Sequence, residues 1–280
     1  MMRGPAVPAR GWWLTSWRSP LSLAQFRLLW RRVLGETPLP VAIAVDPVDH
    51  APPIVPTADH ERAAIHHLIG AGYLALDRGA AEPVWDLVRL LRVLASPDFE
   101  VRARIDIRGQ LVRSVAASRR RRPVVLVEVR GNLVSLSEVD TPSPAVAAVS
   151  ALPRLRPGRL TVNVPTHGLE RAVAEFTAAD PLSEWRRFAA VLGVHLPPAD
   201  VADLFKIAQF DGWLDASFTA ARANGRGALL NASRPVGVRG THEHGCYAVS
   251  RKGDRTIIEP ADEQTLHRRI TELLDSVGAA

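Results

Sequence analysis

One stretch of strict alternation constrains the fold of this chain more than any other feature. Residues 99–107 read FEVRARIDI, in which apolar side chains alternate with charged ones over nine positions. This period of two predicts a β-strand with one buried face and one polar face. Short turns then divide the sequence that follows into LVRSVAA, VVLVEV and LVSLSEV. We therefore predict a four-strand antiparallel meander.

A second series of strand-like segments occupies the C-terminal part of the chain. The segments WLDASFTAARAN, ALLNASRPVGVRG, GCYAVSRK and RTIIEP are separated by turns such as GRG and GD. Each series follows segments with apolar residues at helical spacing and is itself followed by one more helix. The order of helices, meander and helix thus occurs twice. This repetition predicts an α+β protein with an internal repeat whose strands join one sheet.

The repeat also indicates how the chain is organised. Residues 153–158, PRLRPG, read as a linker, which places the two halves at about residues 21–153 and 159–280 of a single domain, 21–280. Residues 1–20 are rich in Pro, Arg and Trp and are interpreted as an N-terminal extension, either disordered or the product of an early start-site assignment. The first helix is predicted to begin with Ser19 as its N-cap and Pro20 at its first position.

The charge of the chain raises the question of a polyanionic partner. The formal net charge is +6, and four arginines are consecutive at Arg119–Arg122. A nucleic-acid-associated protein that uses this Arg-rich hairpin is therefore one hypothesis. However, no stacking aromatic residue lies beside the run, and Lys206 and Lys252 are the only lysines, so arginine is the default cation here. The run also lies between two predicted strands, which favours a solvated hairpin turn.

Candidate catalytic and metal-binding groups are few. His242, His244 and Cys246 in THEHGC are potential ligands, but structural zinc usually takes four ligands in spaced pairs, and no second pair is obvious. His60 and His67 lack the HExxH spacing and are assigned to a solvated helix face. The sequence shows no phosphate-binding glycine motif and no nucleophile–base pair. We expect no enzyme activity, no bound metal and no cofactor.

Three of the seven tryptophans are informative about packing and contact. Trp30 and Trp85 fall at or beside the apolar faces of their predicted helices, which predicts that both pack in the core. Trp213 opens a strand, and the period of two places it with Asp215 and Ser217 on a face of mixed character. Contact with a partner and burial beneath a neighbouring helix are both consistent with that position.

The expected compartment follows from cysteine usage and from the apolar segments. A single cysteine, Cys246, excludes an internal disulfide and suggests a reducing environment. No segment reaches the roughly 18 apolar residues of a membrane span. The N-terminal WWLTSW is too short and too polar for the core of a signal peptide. We predict a cytoplasmic protein with no membrane partner.

Four ordered segments, spread over most of the chain, carry a family resemblance. They are LSLAQFRLLWRRVLGETPLP, VLASPDFEVRARI, LTVNVPTHGLERAV and TIIEPADEQTLHRRITELL. In their order and spacing the chain resembles the EspG family, the cytosolic chaperones of mycobacterial type VII (ESX) secretion. The resemblance extends from about Leu21 to Val277.

The resemblance implies a fold and a function. The fold is one central twisted antiparallel sheet flanked by two helical bundles, with internal quasi-two-fold symmetry. The function is to bind the helical tip of the PPE protein in a PE–PPE heterodimer and keep it soluble in the cytosol for secretion. No small-molecule substrate and no nucleic acid is expected.

The resemblance also implies where the partner binds. In the family the sheet and the C-terminal helical bundle form the contact surface, which corresponds here to strands Phe99–Ile107 and Trp213–Ala221 and the helix Asp200–Phe210. The candidate contact residues are Arg102, Arg104, Leu204, Lys206, Trp213, Asp215 and Ser217.

Overall fold

The fold is described from a computed structural model, which divides into two compact units. The structure describes residues 14–16, 19–44, 58–119, 123–141, 143–176, 185–193, 195–209, 212–224 and 226–277. Unit one comprises Met1–Arg102, Val112–Ala151 and Arg222–Leu229. Unit two comprises Ala103–Leu111, Leu152–Ala221 and Leu230–Ala280.

The first half of the chain, where the structure describes it, contains two short strands, five helices, a hairpin and the first meander. It begins with β1 (Leu14–Ser16), β2 (Leu21–Ser22), α1 (Leu23–Leu34), α2 (Val41–Ala44) and α3 (Ala58–Gly70). The hairpin of β3 (Leu74–Asp77) and β4 (Ala80–Pro83) then leads into α4 (Trp85–Ala95). The meander is β5 (Phe99–Ile107), β6 (Gln110–Ser118), β7 (Val124–Arg130) and β8 (Leu133–Val139), and α5 (Pro144–Ser150) follows it.

The second half repeats this order of elements. It begins with β9 (Val162–Pro165), α6 (Thr166–Phe176), α7 (Trp185–Leu192) and α8 (Pro198–Gln209). The strands are β10 (Gly212–Ala223), β11 (Leu229–Asn231), β12 (Val236–Thr241), β13 (Gly245–Lys252) and β14 (Arg255–Pro260), and α9 (Glu263–Ser276) follows them. None of the helices in the described part of the chain is long and apolar enough to span a membrane.

The strands form a large antiparallel sheet. In unit one their order is β1-β8-β7-β6-β5, and in unit two it is β5-β10-β12-β13-β14-β9. Strand β5 appears in both orders because each unit contains part of it. In both halves the strand that precedes the helices pairs with the last strand of the meander: β1 and β2 pair with β8, and β9 pairs with β14. The predicted α+β class with a large antiparallel sheet is confirmed.

The core of unit one lies between helices α1, α3 and α4 and the inner faces of β6, β7 and β8. Leu91 of α4 and Phe26 of α1 are fully buried in it. The predicted burial of Trp30 is confirmed, since it is 2% exposed and its indole N–H donates to the Thr37 carbonyl at 2.7 Å. That hydrogen bond satisfies the one polar group that a buried indole brings into a core.

The core of unit two lies between helices α6, α7 and α8 and strands β9, β13 and β14. Phe188 and Phe205 meet edge to face with ring centroids 5.5 Å apart. Tyr247 is fully buried, and its hydroxyl donates to the His244 carbonyl at 2.9 Å. Its ring lies so close to Gly158 that a Cβ there would be 2.1 Å from a ring carbon. A glycine is therefore required at that position for the tyrosine to pack.

The start of the first helix differs from the prediction. Ser22, not Ser19, is the N-cap: its hydroxyl accepts from the Gln25 N–H at 3.2 Å, and the Gln25 side chain accepts from the Ser22 N–H at 2.9 Å. This reciprocal pair is a capping box, which satisfies two backbone donors at once. Leu21 is unavailable to the helix because it pairs with Val134 of β8.

The predicted extension at residues 1–20 contains a strand where the structure describes it. Strand β1 pairs with β8 through Leu14↔Val139 and Ser16↔Ser137. The remainder of that expectation concerns residues 1–13 and 17–18, which lie outside the described residues.

Trp85 is a second correction, because it is 71% exposed rather than packed in the core. It occupies the first position of α4, directly after the N-cap Val84. The buried stripe of the helix begins only at Leu87 and continues through Leu91. A residue in the first half-turn can therefore lie beside an apolar stripe in sequence and still face solvent.

The arginine run lies where the sequence predicted a chain reversal. Strands β6 and β7 pair antiparallel on either side of it, from Val112↔Arg130 to Ala117↔Val125. Arg119 is half-buried, and Arg120–Arg122 lie outside the described residues. The hairpin is confirmed, and the proposed role in nucleic-acid binding stays a prediction.

Candidate partner-binding surface

Strand β10 has two different faces. Leu214 and Phe218 are buried, at 2% and 0% exposure. Asp215 and Ser217 alternate with them and are only half-buried. The period of two in the sequence thus produces a strand that is packed on one side and accessible on the other. The accessible side carries two of the predicted contact residues.

Trp213 does not share the face of Asp215, contrary to the simple alternation. The register between β10 and β12 shifts between Gly212 and Leu214, which makes Trp213 an extra residue in a β-bulge. Its ring lies against Gly240, where a Cβ would be 3.2 Å from a ring carbon and 2.9 Å from the Leu214 Cβ. The bulge thus turns the indole toward the side of Leu214 and leaves it half-buried.

A charged cross-strand pair lies at the centre of the accessible side. Asp215 of β10 is directly opposite Arg239 of β12, and the Arg239 Nε lies 3.3 Å from the Asp215 carboxylate. Burial raises the pKa of Asp215, although the charges of Arg239 and Arg104 partly oppose this. Burial likewise lowers the pKa of Arg239, and Asp215 partly compensates. Both ions are therefore incompletely solvated, which makes the pair sensitive to whatever covers it.

Strand β5 supplies the two predicted arginines, and they are in different situations. Arg104 is exposed, and its positive charge partly opposes the rise in the pKa of Asp215 that burial causes. Arg102 is half-buried and donates to the side chain of Glu100, which is itself only 2% exposed. Because Arg102 compensates a buried carboxylate, a partner would have to compete for it. Arg104 is the more available cation.

Helix α8 places its two predicted contact residues differently. Leu204 is fully buried in the core of unit two, so its position favours packing over partner contact. Lys206 is 46% exposed and forms an ion pair with Glu243 of the β12–β13 turn at 3.2 Å. Of the two, only Lys206 is on the surface. Phe210, at the end of the predicted helical contact segment, lies outside the described residues.

The residues of the THEHGC segment are widely different in environment. His242 is exposed, and the His244 Nδ1 lies 2.6 Å from the Asp203 carboxylate of α8. Cys246 is buried, and burial raises the pKa of its thiol. No group of three potential metal ligands converges among the residues that the structure describes. His244 is instead a structural link between α8 and the turn.

The accessible side of β10 has little concavity. A recess of about 20 Å³ is lined by residues that include Lys206, Asp215 and Arg239. This volume holds about one water molecule, whereas small-molecule sites typically occupy several hundred cubic ångströms. The recess is therefore too small for a typical small-molecule ligand. We call this accessible side the β10 surface and define it by Arg104, Asp215, Ser217, Arg239 and Lys206.

Sequence reasoning missed Arg239 and the bulge at Trp213. Arg239 lies in the segment RPVGVRG. Its pairing with Asp215 depends on the register between β10 and β12, which are separated in sequence by β11. The glycines at positions 212 and 240 were the sequence feature that could have predicted the bulge. A Cβ on Gly212 would lie 2.3 Å from the Gly240 carbonyl oxygen. Glycines within strands often mark such a close approach.

A family model and a solved structure both match this chain. The model of the EspG family matches residues 22–272. The chain belongs to the EspG family. This EspG-family chain is also similar to the Mycobacterium tuberculosis type VII secretion system chaperone EspG5, whose structure was solved in complex with the PE25-PPE41 dimer. That likeness has a TM-score of 0.66 at 15% identity, and it covers 94% of this chain and 97% of the other. No curated protein matches this EspG-family chain.

Proposed function

We propose that this protein is a non-enzymatic chaperone of type VII secretion that binds a PE–PPE heterodimer through the PPE protein. In this proposal it keeps the heterodimer soluble in the cytosol until secretion. The observation that carries the proposal is family membership over residues 22–272. The likeness in fold to a chaperone solved with a PE–PPE dimer supports it over nearly the whole chain.

The β10 surface is the proposed site of contact. It offers the exposed cation of Arg104, the hydroxyl of Ser217 and the incompletely solvated pair of Asp215 and Arg239. A specific protein interface usually buries about 1,200–2,000 Å² in total. Because the recess on this surface holds only about 20 Å³, a broad helical surface fits it better than a small molecule does.

The chemistry of the β10 surface favours a partner with its own polar groups. A purely apolar partner would bury Arg104 without compensation, which costs free energy. A partner that brings a carboxylate to Arg104 and a hydrogen-bond donor to Asp215 would instead gain orientation and selectivity. Arg102, already bound to Glu100, would contribute less than Arg104.

Co-expression with a panel of PE–PPE pairs tests the proposed function. We expect at least one pair to co-purify as a complex with one copy of each chain, measured by size-exclusion chromatography with light scattering. If no pair co-purifies in any combination, the functional proposal is wrong.

A charge reversal tests the proposed surface separately. We expect Arg104→Glu to weaken capture about tenfold or more, because like charges would then face each other across the interface. Arg226→Glu is the matched control, since Arg226 is exposed in the turn after β10 and the same charge is reversed there. Equal weakening by both variants would show that the β10 surface is not the contact site.

A further inference from the structure

A cleft in unit two, lined by residues outside the β10 surface, combines an apolar floor with a basic rim. It has a volume of about 480 Å³ and lies between the start of β12, the β13–β14 turn and helix α9. Pro235, Val236 and Leu273 supply apolar lining. The cations of the lining are Arg234, Arg251, Lys252 and Arg269, with Glu272 as the acidic residue among them.

Two of the four cations are already neutralised by carboxylates. Arg251 is 2.6 Å from Glu170. Arg269 is held between Glu259 and Glu272, and its Nη1 lies 2.9 Å from the Glu272 carboxylate. These pairs fix the side chains that form one wall of the cleft, and they also neutralise Glu272. Arg251 and Arg269 therefore offer little net positive charge to a ligand.

The other two cations have no carboxylate partner in the part of the chain that the structure describes. Among the described residues, neither Arg234 nor Lys252 has a carboxylate oxygen within 4.0 Å. Arg234 donates to the carbonyl of Gly253 in the β13–β14 turn. Asp254, the acidic residue of that turn, is exposed and pairs with neither. Both cations are also exposed, so a ligand in the cleft can reach them.

The position of Lys252 is unfavourable in the protein alone. It lies directly opposite Arg255 in the β13–β14 hairpin, and like charges in facing positions of an antiparallel pair repel each other. Arg255 is bound to the Asn163 side chain at 2.6 Å, which does not neutralise it. An anion beside Lys252 would relieve this repulsion.

The lining also provides hydroxyl groups. Ser233 of the β11–β12 loop and Ser250 of β13 line the cleft, whereas the Ser276 hydroxyl donates to the Leu273 carbonyl at 2.7 Å. Hydroxyl donors together with one arginine and one lysine match the oxygens of a phosphate group, for which both cations are common ligands. A cleft of several hundred cubic ångströms with an apolar floor is in the size range of small-molecule sites.

We propose that this cleft binds a small phosphate ester of about mononucleotide size. The phosphate group lies between Lys252 and Arg234, and the organic group lies on Pro235, Val236 and Leu273. This site is independent of the proposed PE–PPE contact, because none of these residues belongs to the β10 surface.

Calorimetric titration of the full-length protein with AMP and with inorganic phosphate at low salt tests the proposal. We expect both to bind and AMP to bind at least tenfold more tightly, because only AMP can cover the apolar floor. If neither binds at millimolar concentration, the proposal is wrong. Equal affinity for the two would show that the organic group is not bound, which would also overturn it.

Three variants locate the binding site. Lys252→Ser and Arg234→Ser should each lower the affinity for AMP about tenfold, and neither should markedly lower the thermal unfolding temperature, because both side chains are exposed. Arg226→Ser removes the same charge outside the cleft and should leave the affinity unchanged. If Lys252→Ser binds AMP like the wild type, or Arg226→Ser loses as much affinity, the anion binds elsewhere or without specificity.

Discussion

The two halves of this protein share the order of helices, meander and helix. The helix that directly precedes each meander, α4 in the first half and α8 in the second, is attached in a different way. In the first half, Arg89 of α4 makes two hydrogen bonds to Glu138 of β8, at 2.9 and 2.6 Å, and both side chains are about one-quarter exposed. In the second half, α8 is linked to the β12–β13 turn by two single contacts: the largely exposed pair of Lys206 and Glu243, and the Asp203 carboxylate, which lies 2.6 Å from the His244 Nδ1. The comparison teaches that a repeated topology does not repeat the energetics of its contacts.

The exposed side chains of the two halves differ as well. The first half exposes large apolar side chains, with Trp85 71% and Leu76 67% exposed. The β10 surface, which combines Arg104 of β5 with residues of the second half, is instead mostly charged and hydrogen-bonding. Exposed apolar area alone would therefore select the β3–β4 hairpin and α4 as the contact region, whereas the family resemblance implies β5, β10 and α8. Variants in matched pairs, one in each half, distinguish the two possibilities.

The largest expected effect comes from the buried leucines of the two helices. Leu91 of α4 and Leu204 of α8 are both fully buried, so Leu91→Ala and Leu204→Ala should each lower the free energy of unfolding by about 2–5 kcal/mol. Chemical denaturation of both variants measures this. A Leu204→Ala protein of nearly wild-type stability that fails to bind PE–PPE would show that Leu204 is a contact residue after all.

The next largest effect is the difference in coupling free energy between an ion pair of the first half and one of the second. A double-mutant cycle on Arg89 and Glu138 should give a coupling free energy of about 1–2 kcal/mol, because the contact is bidentate and partly desolvated. The same cycle on Lys206 and Glu243 should give no measurable coupling, since exposed pairs are weak. Equal coupling energies in the two cycles would remove the contrast between the halves.

The order of elements and the α+β class could be predicted from sequence because period and turn residues are local signals. The alternation of FEVRARIDI predicted a strand at the position of β5, and the glycine-containing turns predicted the hairpins. The N-cap of α1 was misplaced because Ser19 and Ser22 both satisfy the local rule. Only the pairing of Leu21 with Val134 decides between them, and that contact is more than 100 positions away in the chain.

The candidate site was less predictable than the fold. Leu204 and Lys206 are two positions apart on one helix, and sequence alone did not show that one is buried and the other exposed. The position of Trp213 depends on a bulge, and the importance of Arg239 depends on the register of β12 against β10. Such tertiary features arise from strand pairing, which a period of two does not specify.

A smaller effect concerns the pH dependence of stability. Burial raises the pKa of Asp215 in the folded state, so the folded protein retains that proton to a higher pH than the unfolded chain does. The stability that Asp215 contributes is therefore greatest below the unfolded pKa of about 3.9 and falls as the pH rises through the folded value.

The variant Asp215→Asn should remove this dependence. We expect the stability of the wild type relative to Asp215→Asn to decrease between about pH 3.5 and about pH 7, a range that extends from below to above the ordinary Asp pKa, as measured by urea unfolding at several pH values. Asp77→Asn is the matched control in the first half, since Asp77 is exposed at the end of β3. A relative stability that rises with pH would show that Arg239 outweighs burial.

The smallest expected effect concerns the arginine run at the β6–β7 hairpin. If the run is a solvated turn, as the sequence predicts, replacement of Arg119–Arg122 with Ser should change stability by no more than about 0.5 kcal/mol per residue. Capture of PE–PPE should persist. Titration with random oligonucleotides at two salt concentrations is the critical measurement, because phosphate contacts make binding steeply salt-dependent. Tight, salt-dependent binding that the variant loses would support the nucleic-acid hypothesis instead.

Hydrogen–deuterium exchange of the protein, free and in complex with a co-purifying PE–PPE pair, tests the location of the partner site most directly. We predict that the complex slows exchange in β10 (Gly212–Ala223) and α8 (Pro198–Gln209), with little change in β3, β4 and α4. Trp85→Ala should then leave capture unchanged. Slower exchange confined to the β3–β4 hairpin and α4, together with loss of capture in Trp85→Ala, would contradict the assignment of partner binding to the β10 surface.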